Sequence, residues 1–504
     1  MITKKNIDLN ISNFFSKKSK ISKSRSKAKT RSKAKHKIPK LQNQSTNLYN
    51  ESKISDILNS IYSMNNPINN PLIKYDDKES KLLQKEGFNN FKICKPFTSD
   101  ILNSYYENIT DIKNEQLPKP VQYASEDFTR GLKTFLNIRY TNLPIPSISN
   151  AFVKLWEVLE TFDSIIKKDT KSFKVFHICE APGQMIISNK YFAEKKRPNI
   201  SMENYDWRAN SLNPYNAEIK AKYGKVFSDN YNMIKNNQKK WLWGADNTGD
   251  ITKIKNIKSF RKYINEEWLD GKDGKNGKDN KNNKLDFICG DGGLSTDLEP
   301  LLLQKLDLAQ VITTIVCSSI GGSCCIKHFT PFIRGNKDTY NASGFFIGFL
   351  YLYYIAFEQV SLFKPYSSNP DSGEFYVVGI NFLGISDSQI ENLYKILDGF
   401  KLNHAIIEKD NIPETFITQI NNFIKLMSQL NNDSIEKINL LLTCYDNMPN
   451  ATGAKVAKVA KGAKGTKDEK IFKLLKCNKF LDENNIETIL VPRYNEWIKK
   501  YNFE

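Results

Sequence analysis

The stretch from Phe173 to Gln184, FKVFHICEAPGQ, decides the fold. A short, nearly continuous apolar run closes on an acid, Glu180, and Pro182 and Gly183 then open a helical segment. A run of this length with no polar alternation is a strand buried on both faces, and the turn into a helix marks it as one unit of a parallel sheet. Working outward, comparable runs occur at Asn204 to Ala209, Leu285 to Gly290, Ser323 to Phe329, Gln359 to Phe363 and Phe375 to Phe382. Helical stretches such as Leu301 to Ser318 and Gly344 to Phe357 lie between them. The expectation is a doubly wound, Rossmann-like α/β domain over residues 151–384.

The flanks read differently. Residues 46–150 mix short helical patterns such as Asp100 to Ile112 with proline joints at Pro118, Pro120, Pro144 and Pro146, and form an N-terminal flanking or substrate region. A Gly/Asn/Lys/Asp repeat at 270–284, DGKDGKNGKDNKNNK, is a solvated loop inserted ahead of a buried strand. Residues 385–504 are a helical C-terminal region, in which Phe416, Ile420, Phe423, Met427 and Leu430 recur at helical spacing as one packing stripe. A Lys-rich linker, 454–467, precedes a last short element ending near Trp497.

The formal charge of +19 points to a polyanionic partner, and its distribution refines the point. Residues 1–40 carry fourteen Lys/Arg against one acid, a net +13 that leaves only +6 for the remaining 464 residues. With almost no large apolar side chains from Lys17 to Lys40, residues 1–45 read as a disordered basic tail, suited to hold RNA, to act as a nuclear address or simply to solubilise. The eight cysteines contain no C-x-x-C and read as buried thiols of a reducing compartment. With only four histidines, no metal site is expected. The longest uncharged apolar run, Phe345 to Phe357, is too short to span a bilayer and reads as a core helix. These features describe a soluble intracellular protein with no membrane partner.

Ligands of open α/β sheets bind beyond the carboxyl ends of the strands, so the turns there carry the chemistry. Three are polar and glycine-rich: Glu180 to Gln184, Asp246 to Ile251, and Cys289 to Gly293. Neither G-x-G-x-x-G nor G-x-x-x-x-G-K-[ST] occurs, so a nucleoside without phosphates fits better than a dinucleotide or a triphosphate. S-adenosylmethionine meets that description. Its candidate ligands are Glu180, Pro182, Gly183, Gln184, Tyr205, Asp250, Ile251 and Asp291, with Gly183 permitting close backbone approach and Tyr205 read as the aromatic ending the second strand.

Eight pieces in order complete the reading: AFVKLWEVLETF, CEAPGQMI, WRANSLNPYNAE, WGADNTGDITKIKNIKSF, GDGGLS, GGSCCIKHFTPF, LFKPYSS and SGEFYVVG. Lys154 to Phe382 thereby resembles the RrmJ/FtsJ class of RNA 2′-O-methyltransferases and, within it, the adrift-type cap-specific mRNA enzymes. Gln184-Met185, the loop 270–284 and the lack of a guanylyltransferase, WW or G-patch module depart from the pattern. The resemblance implies a catalytic tetrad of Lys154, Asp291, Lys327 and Glu374, with capped RNA as partner and other capping or transcription proteins as further candidates. The methylated position would be the first or second transcribed nucleotide. An enzyme of the same chemistry acting on ribosomal or transfer RNA is one alternative, and a catalytically silent RNA-binding subunit is another. Lys, Asn and Ile richness suits an AT-rich genome such as that of a large DNA virus or a protist, placing the protein in the cytoplasm, a viral factory or virion, or the nucleus.

A ribose 2′-hydroxyl is a weak nucleophile at neutral pH. A lysine beside it, acting as neutral base or as cation, would stabilise alkoxide character, and Lys327 is the candidate for that place. Lys154 and Glu374 would orient Lys327 and the ribose, and Asp291 would fix the lysine while touching the cofactor.

Overall fold

In β2 (Phe173–Ile178), Phe173 and Val175 enter one core while Phe176 and Ile178 enter another on the opposite side of the sheet. The same split occurs in β4 (Phe287–Gly290), β5 (Ser323–Phe329) and β7 (Glu374–Phe382). Neighbouring strand residues point to opposite faces, and burial of both faces explains the continuous apolar runs. The computed structural model describes residues 56–57, 59–60, 67–74, 87–97, 131–224, 227–269, 284–293, 300–331, 343–446 and 489–503. The basic tail, the Asp100 to Ile112 pattern, Pro118 and Pro120, the inserted loop up to 283 and the linker 454–467 lie outside these residues.

With β1 (Ile68–Leu72), β3 (Tyr205–Ala209) and β6 (Phe357–Lys364), the sheet has seven strands in the order β1-β6-β7-β5-β4-β2-β3. Pairings β2–β3, β2–β4 and β4–β5 are parallel, as expected. The sheet departs from that reading at β7, which lies antiparallel between β5 and β6. The reason is the connection: residues 365–373 form a loop without a crossover helix, so β6 can only turn back. A further strand, β1, pairs antiparallel with β6 at the sheet's edge. Its sequence, INNPL, breaks the apolar pattern, and an edge is where the missing N–H of Pro71 does least harm.

On one face lie α1 (Asn150–Thr161), α2 (Gln184–Lys196) and α8 (Val491–Lys500). The other face carries α3 (Ile254–Lys262), α4 (Pro300–Cys317), α5 (Ser343–Ala356) and α6 (Asp387–Asp398). The long α7 (Glu414–Asp446) buries Phe416, Ile420, Phe423 and Met427 in that second core, leaves Leu430 half-buried, and reaches the first core through Ile438. Every residue of α5 is buried, and among the described residues no helix is long and apolar enough to cross a membrane. The C-terminal element docks firmly on α1: Trp156 donates from Nε1 to Tyr501 O at 2.8 Å, and its ring meets Phe503 edge-on at 4.9 Å.

Candidate active site

Four elements bring the four tetrad residues together. Lys154 projects from α1, whose Ser149 caps the first turn by accepting from Phe152 N. Its Nζ lies 2.5 Å from Oε1 of Glu374, the first residue of β7. Lys327 sits near the end of β5, and its Nζ lies 2.7 Å from Oδ1 of Asp291, just beyond β4. Strand register does the positioning, since Lys327 pairs with Tyr376 and Phe329 with Glu374.

The charges sustain one another. Burial lowers the affinity of Lys327 for its proton, but Asp291 and then Glu374 outweigh it and raise the pKa above the usual lysine value. Burial likewise opposes ionisation of Glu374, yet Lys154 and then Lys327 hold its carboxyl down at about 2. Glu374 is therefore an anion and Lys327 a cation across the neutral range. Two glycines keep space clear around the lysine. A Cβ at Gly293 would lie 3.2 Å from Lys327 Nζ, and one at Gly292 would overlap Gln310 Oε1. Gln310 donates from Nε2 to Lys327 O at 3.4 Å.

Beside the tetrad lie the carboxyl ends of β2, β3 and β4, where polar residues gather. Burial pushes the Cys179 thiol up to about 12, and the charges that also act on it are those of Asp250, Lys327, Asp291 and Glu180. Glu180 Oε1 accepts from Met185 N at 2.6 Å at the start of α2, while burial and then Asp291 push its carboxyl well above the usual range. Asp250 Oδ1 accepts from Thr252 N and Oγ1 at 2.9 and 2.7 Å. Ile251 beneath it is a buried member of the second core. Pro182 is half-buried at the turn before α2.

Gly183 is required for a different reason than the one expected. It caps α2 with φ +107°, and a Cβ there would meet Met233 Cγ at 2.9 Å, so local conformation and packing already demand glycine. Tyr205 is a correction. It begins β3 rather than ending it, opposite Phe173, with its ring stacked on that residue and its hydroxyl donating to Asn189. That places it at the far end of the strand, in the core. The carboxyl end of β3 is instead closed by Asn210, whose Nδ2 donates to Leu242 O and Gly249 O. Sequence reading missed Asn210, Gln310 and a buried lysine, Lys364; polar residues beside apolar runs carry no signal of burial.

The donor set suits a polar, cationic nucleoside. Glu180 Oε2, both polar side-chain atoms of Gln184, and Asn210 Oδ1 are buried without a hydrogen-bond partner. Such atoms are costly unless something else completes them, and the turn is rich in carboxylate rather than in phosphate-binding backbone. Among the described residues no group of three or more His, Cys, Asp or Glu is placed to hold a metal ion.

Residues 147–382 match the FtsJ-like methyltransferase family. Three relatives place them further. The chain is 29% identical over 311 residues to an uncharacterized protein of Acanthamoeba polyphaga mimivirus, covering 60% of this chain and 34% of that one. It is 24% identical over 371 residues to cap-specific mRNA (nucleoside-2′-O-)-methyltransferase 2 of Danio rerio, covering 70% of this chain and 45% of that one. It is also 24% identical over 318 residues to a probable methyltransferase of African swine fever virus, covering 58% of this chain and 65% of that one. The chain thus spans between about a third and two thirds of the length of these relatives.

Proposed function

We propose that the protein is an S-adenosylmethionine-dependent RNA 2′-O-methyltransferase that modifies the capped 5′ end of mRNA, at the first or second transcribed nucleotide. The observation that carries the reading is the convergence of Lys154, Asp291, Lys327 and Glu374 from four places in the fold into two half-buried ion pairs. Relatives named as cap-specific mRNA 2′-O-methyltransferases support capped RNA as the substrate class.

When bound, S-adenosylmethionine supplies an electrophilic methyl group. Glu180, Gln184, Asn210, Asp250 and Asp291 are the side chains that would hold it. Lys327 faces the ribose 2′-oxygen as a cation and stabilises the negative charge that develops there. Asp291 and Glu374 keep it charged, and this arrangement favours electrostatic stabilisation over a neutral lysine base. Lys154 orients Glu374. Holding the hydroxyl in line beside these groups accounts for the rest of the rate.

The test is a single-turnover assay with tritiated S-adenosylmethionine on capped and uncapped RNA of one sequence, followed by mapping of the methylated nucleotide. Transfer to capped RNA alone is expected. Equal transfer to uncapped RNA would move the protein to ribosomal or transfer RNA. Cofactor binding without transfer to any RNA would make it an RNA-binding subunit.

A further inference from the structure

Lys364 is an ionisable residue that the chemistry above does not use, and it is 1% exposed. It closes β6. Its Nζ donates to Ser372 O at 2.8 Å, to Ser368 Oγ at 3.2 Å and to Glu374 O at 3.2 Å. In its protonated form the amine has three hydrogens, and all three are spent on the segment that leads into β7. A charge so deeply buried is kept only where its surroundings satisfy it fully.

The segment ends on the catalytic carboxylate. Glu374 N donates to Ser372 Oγ at 3.2 Å, so both backbone polar groups of Glu374 are gripped, one by the serine and one by Lys364. The same loop is pinned from the opposite side by Glu157, whose Oε1 accepts from Ser367 N at 3.0 Å and from Trp497 Nε1 at 2.7 Å. Glu157 lies one turn beyond Lys154 on α1, so the loop is tied to the helix that carries the partner of Glu374.

We propose that Lys364 is a positioning residue for methyl transfer. By bracing the 368–374 segment from within, it fixes the Glu374 carboxylate against Lys154 and toward Lys327. The proposal rests on the catalytic reading of the tetrad and concerns how that tetrad is held. Small displacements of catalytic groups are expensive, a shift near 1 Å costing on the order of 10²-fold. Glu374 opens β7, so its ladder begins only there, and the loop before it, 365–373, has no helix or strand of its own to steady it.

The closing experiment is a double-mutant cycle on the full-length chain. Lys364→Met is measured by single turnover in the wild-type and Glu374→Ala backgrounds, alongside hydrogen exchange of the free proteins. Lys364→Met should lower the rate on the order of 10²-fold, leave cofactor and RNA affinity largely intact, and cost nothing further once Glu374 is gone. Exchange should quicken in peptides covering 365–374 and stay unchanged in β2 and α2. An equal loss in both backgrounds, or faster exchange throughout the domain, would reduce Lys364 to a general core residue and overturn the proposal. If Lys364→Met does not fold, Ser372→Ala enters the same cycle, because it frees the other backbone group of Glu374. Should the wild type methylate no RNA, the functional reading fails and the exchange pattern alone judges Lys364.

Discussion

The carboxyl ends of β2, β3 and β4 and the corner between β6 and β7 are both polar and largely buried, yet their ionisable side chains are partnered differently. At the strand ends, Glu180, Gln184 and Asn210 keep atoms without partners. At the corner, Lys364 makes three hydrogen bonds and the Glu374 carboxylate is paired with Lys154. Incomplete satisfaction marks where a ligand belongs, because water-free polar atoms need a partner. At the corner it is Lys364 and Glu374 that are held by partners, while Ser367 Oγ and Glu157 Oε2 beside them have none; groups held in this way are preorganised for a charge that develops in the transition state. In the proposed reading, the first region is the binding half and the second belongs to the chemical half.

Perturbing one half should leave the other measurable, and the largest effect is expected in the chemical half. Lys327→Ala should lower single-turnover methyl transfer by about 10²-fold to 10³-fold while cofactor titration stays near wild type. Lys327→Arg should not rescue it, since a planar guanidinium cannot occupy the place of a compact ammonium beside Asp291 and the glycines. Activity within a few-fold of wild type would remove Lys327 from the mechanism.

Next in size is Gly183→Val in the binding half. A β-branched residue cannot take φ +107° readily and would strike Met233. Calorimetric titration should detect no S-adenosylmethionine or product binding, and normal binding would detach the Glu180 turn from the cofactor.

A smaller effect concerns the clamp on α1. Trp497→Phe removes one of the two donors to the buried Glu157 and should cost about 1–3 kcal/mol in denaturant unfolding. An unchanged midpoint would show that the Trp497–Glu157 bond adds nothing to the docking of α8. The same glutamate predicts a pH signature. Burial raises its pKa from 4.5 to about 7, so the folded state holds a proton that the unfolded state has released in that window. Its contribution to stability therefore falls as pH rises from 4.5 to 7, by up to about 3 kcal/mol, and Glu157→Gln should flatten that slope. Lys364 has the reverse sign: burial lowers its pKa from 10.5 to about 7, so its contribution improves as pH rises through that range. Slopes that survive both substitutions would assign the pH dependence elsewhere.

The smallest effect belongs to the basic tail. Deleting residues 1–40, with their net +13, should leave the unfolding midpoint of the methyltransferase domain unchanged. RNA affinity at low salt should weaken and its salt dependence flatten, since fewer phosphate counterions are released. Unchanged affinity would leave targeting as the tail's role.

Much of the architecture was legible because burial on both sheet faces leaves a direct imprint on composition. Largely apolar runs such as Phe173 to Ile178 and the uncharged, aromatic-rich α5 read as interior, and the turns that follow the strands carry the polar residues. The tetrad was legible only through the order of its motifs. Nothing about Lys154 or Glu374 taken singly distinguishes it from a surface charge. Tyr205 was misplaced because an aromatic fits either end of a five-residue strand, and only the register with Phe173 tells which.

By itself, then, the sequence determined the layered α/β plan, the strand ends that face a ligand and the chemical types gathered there, since hydrophobic periodicity and turn chemistry are local properties of the chain. Tertiary structure alone decided the rest. The reversal of β7 follows from a loop too short in structure to cross the sheet, and β1 owes its place to an edge that tolerates proline. The burial of Lys364 and Glu157 depends on partners between 4 and 340 residues away. The energy of a buried charge is set by what surrounds it in space, and that is not written in its neighbours along the chain.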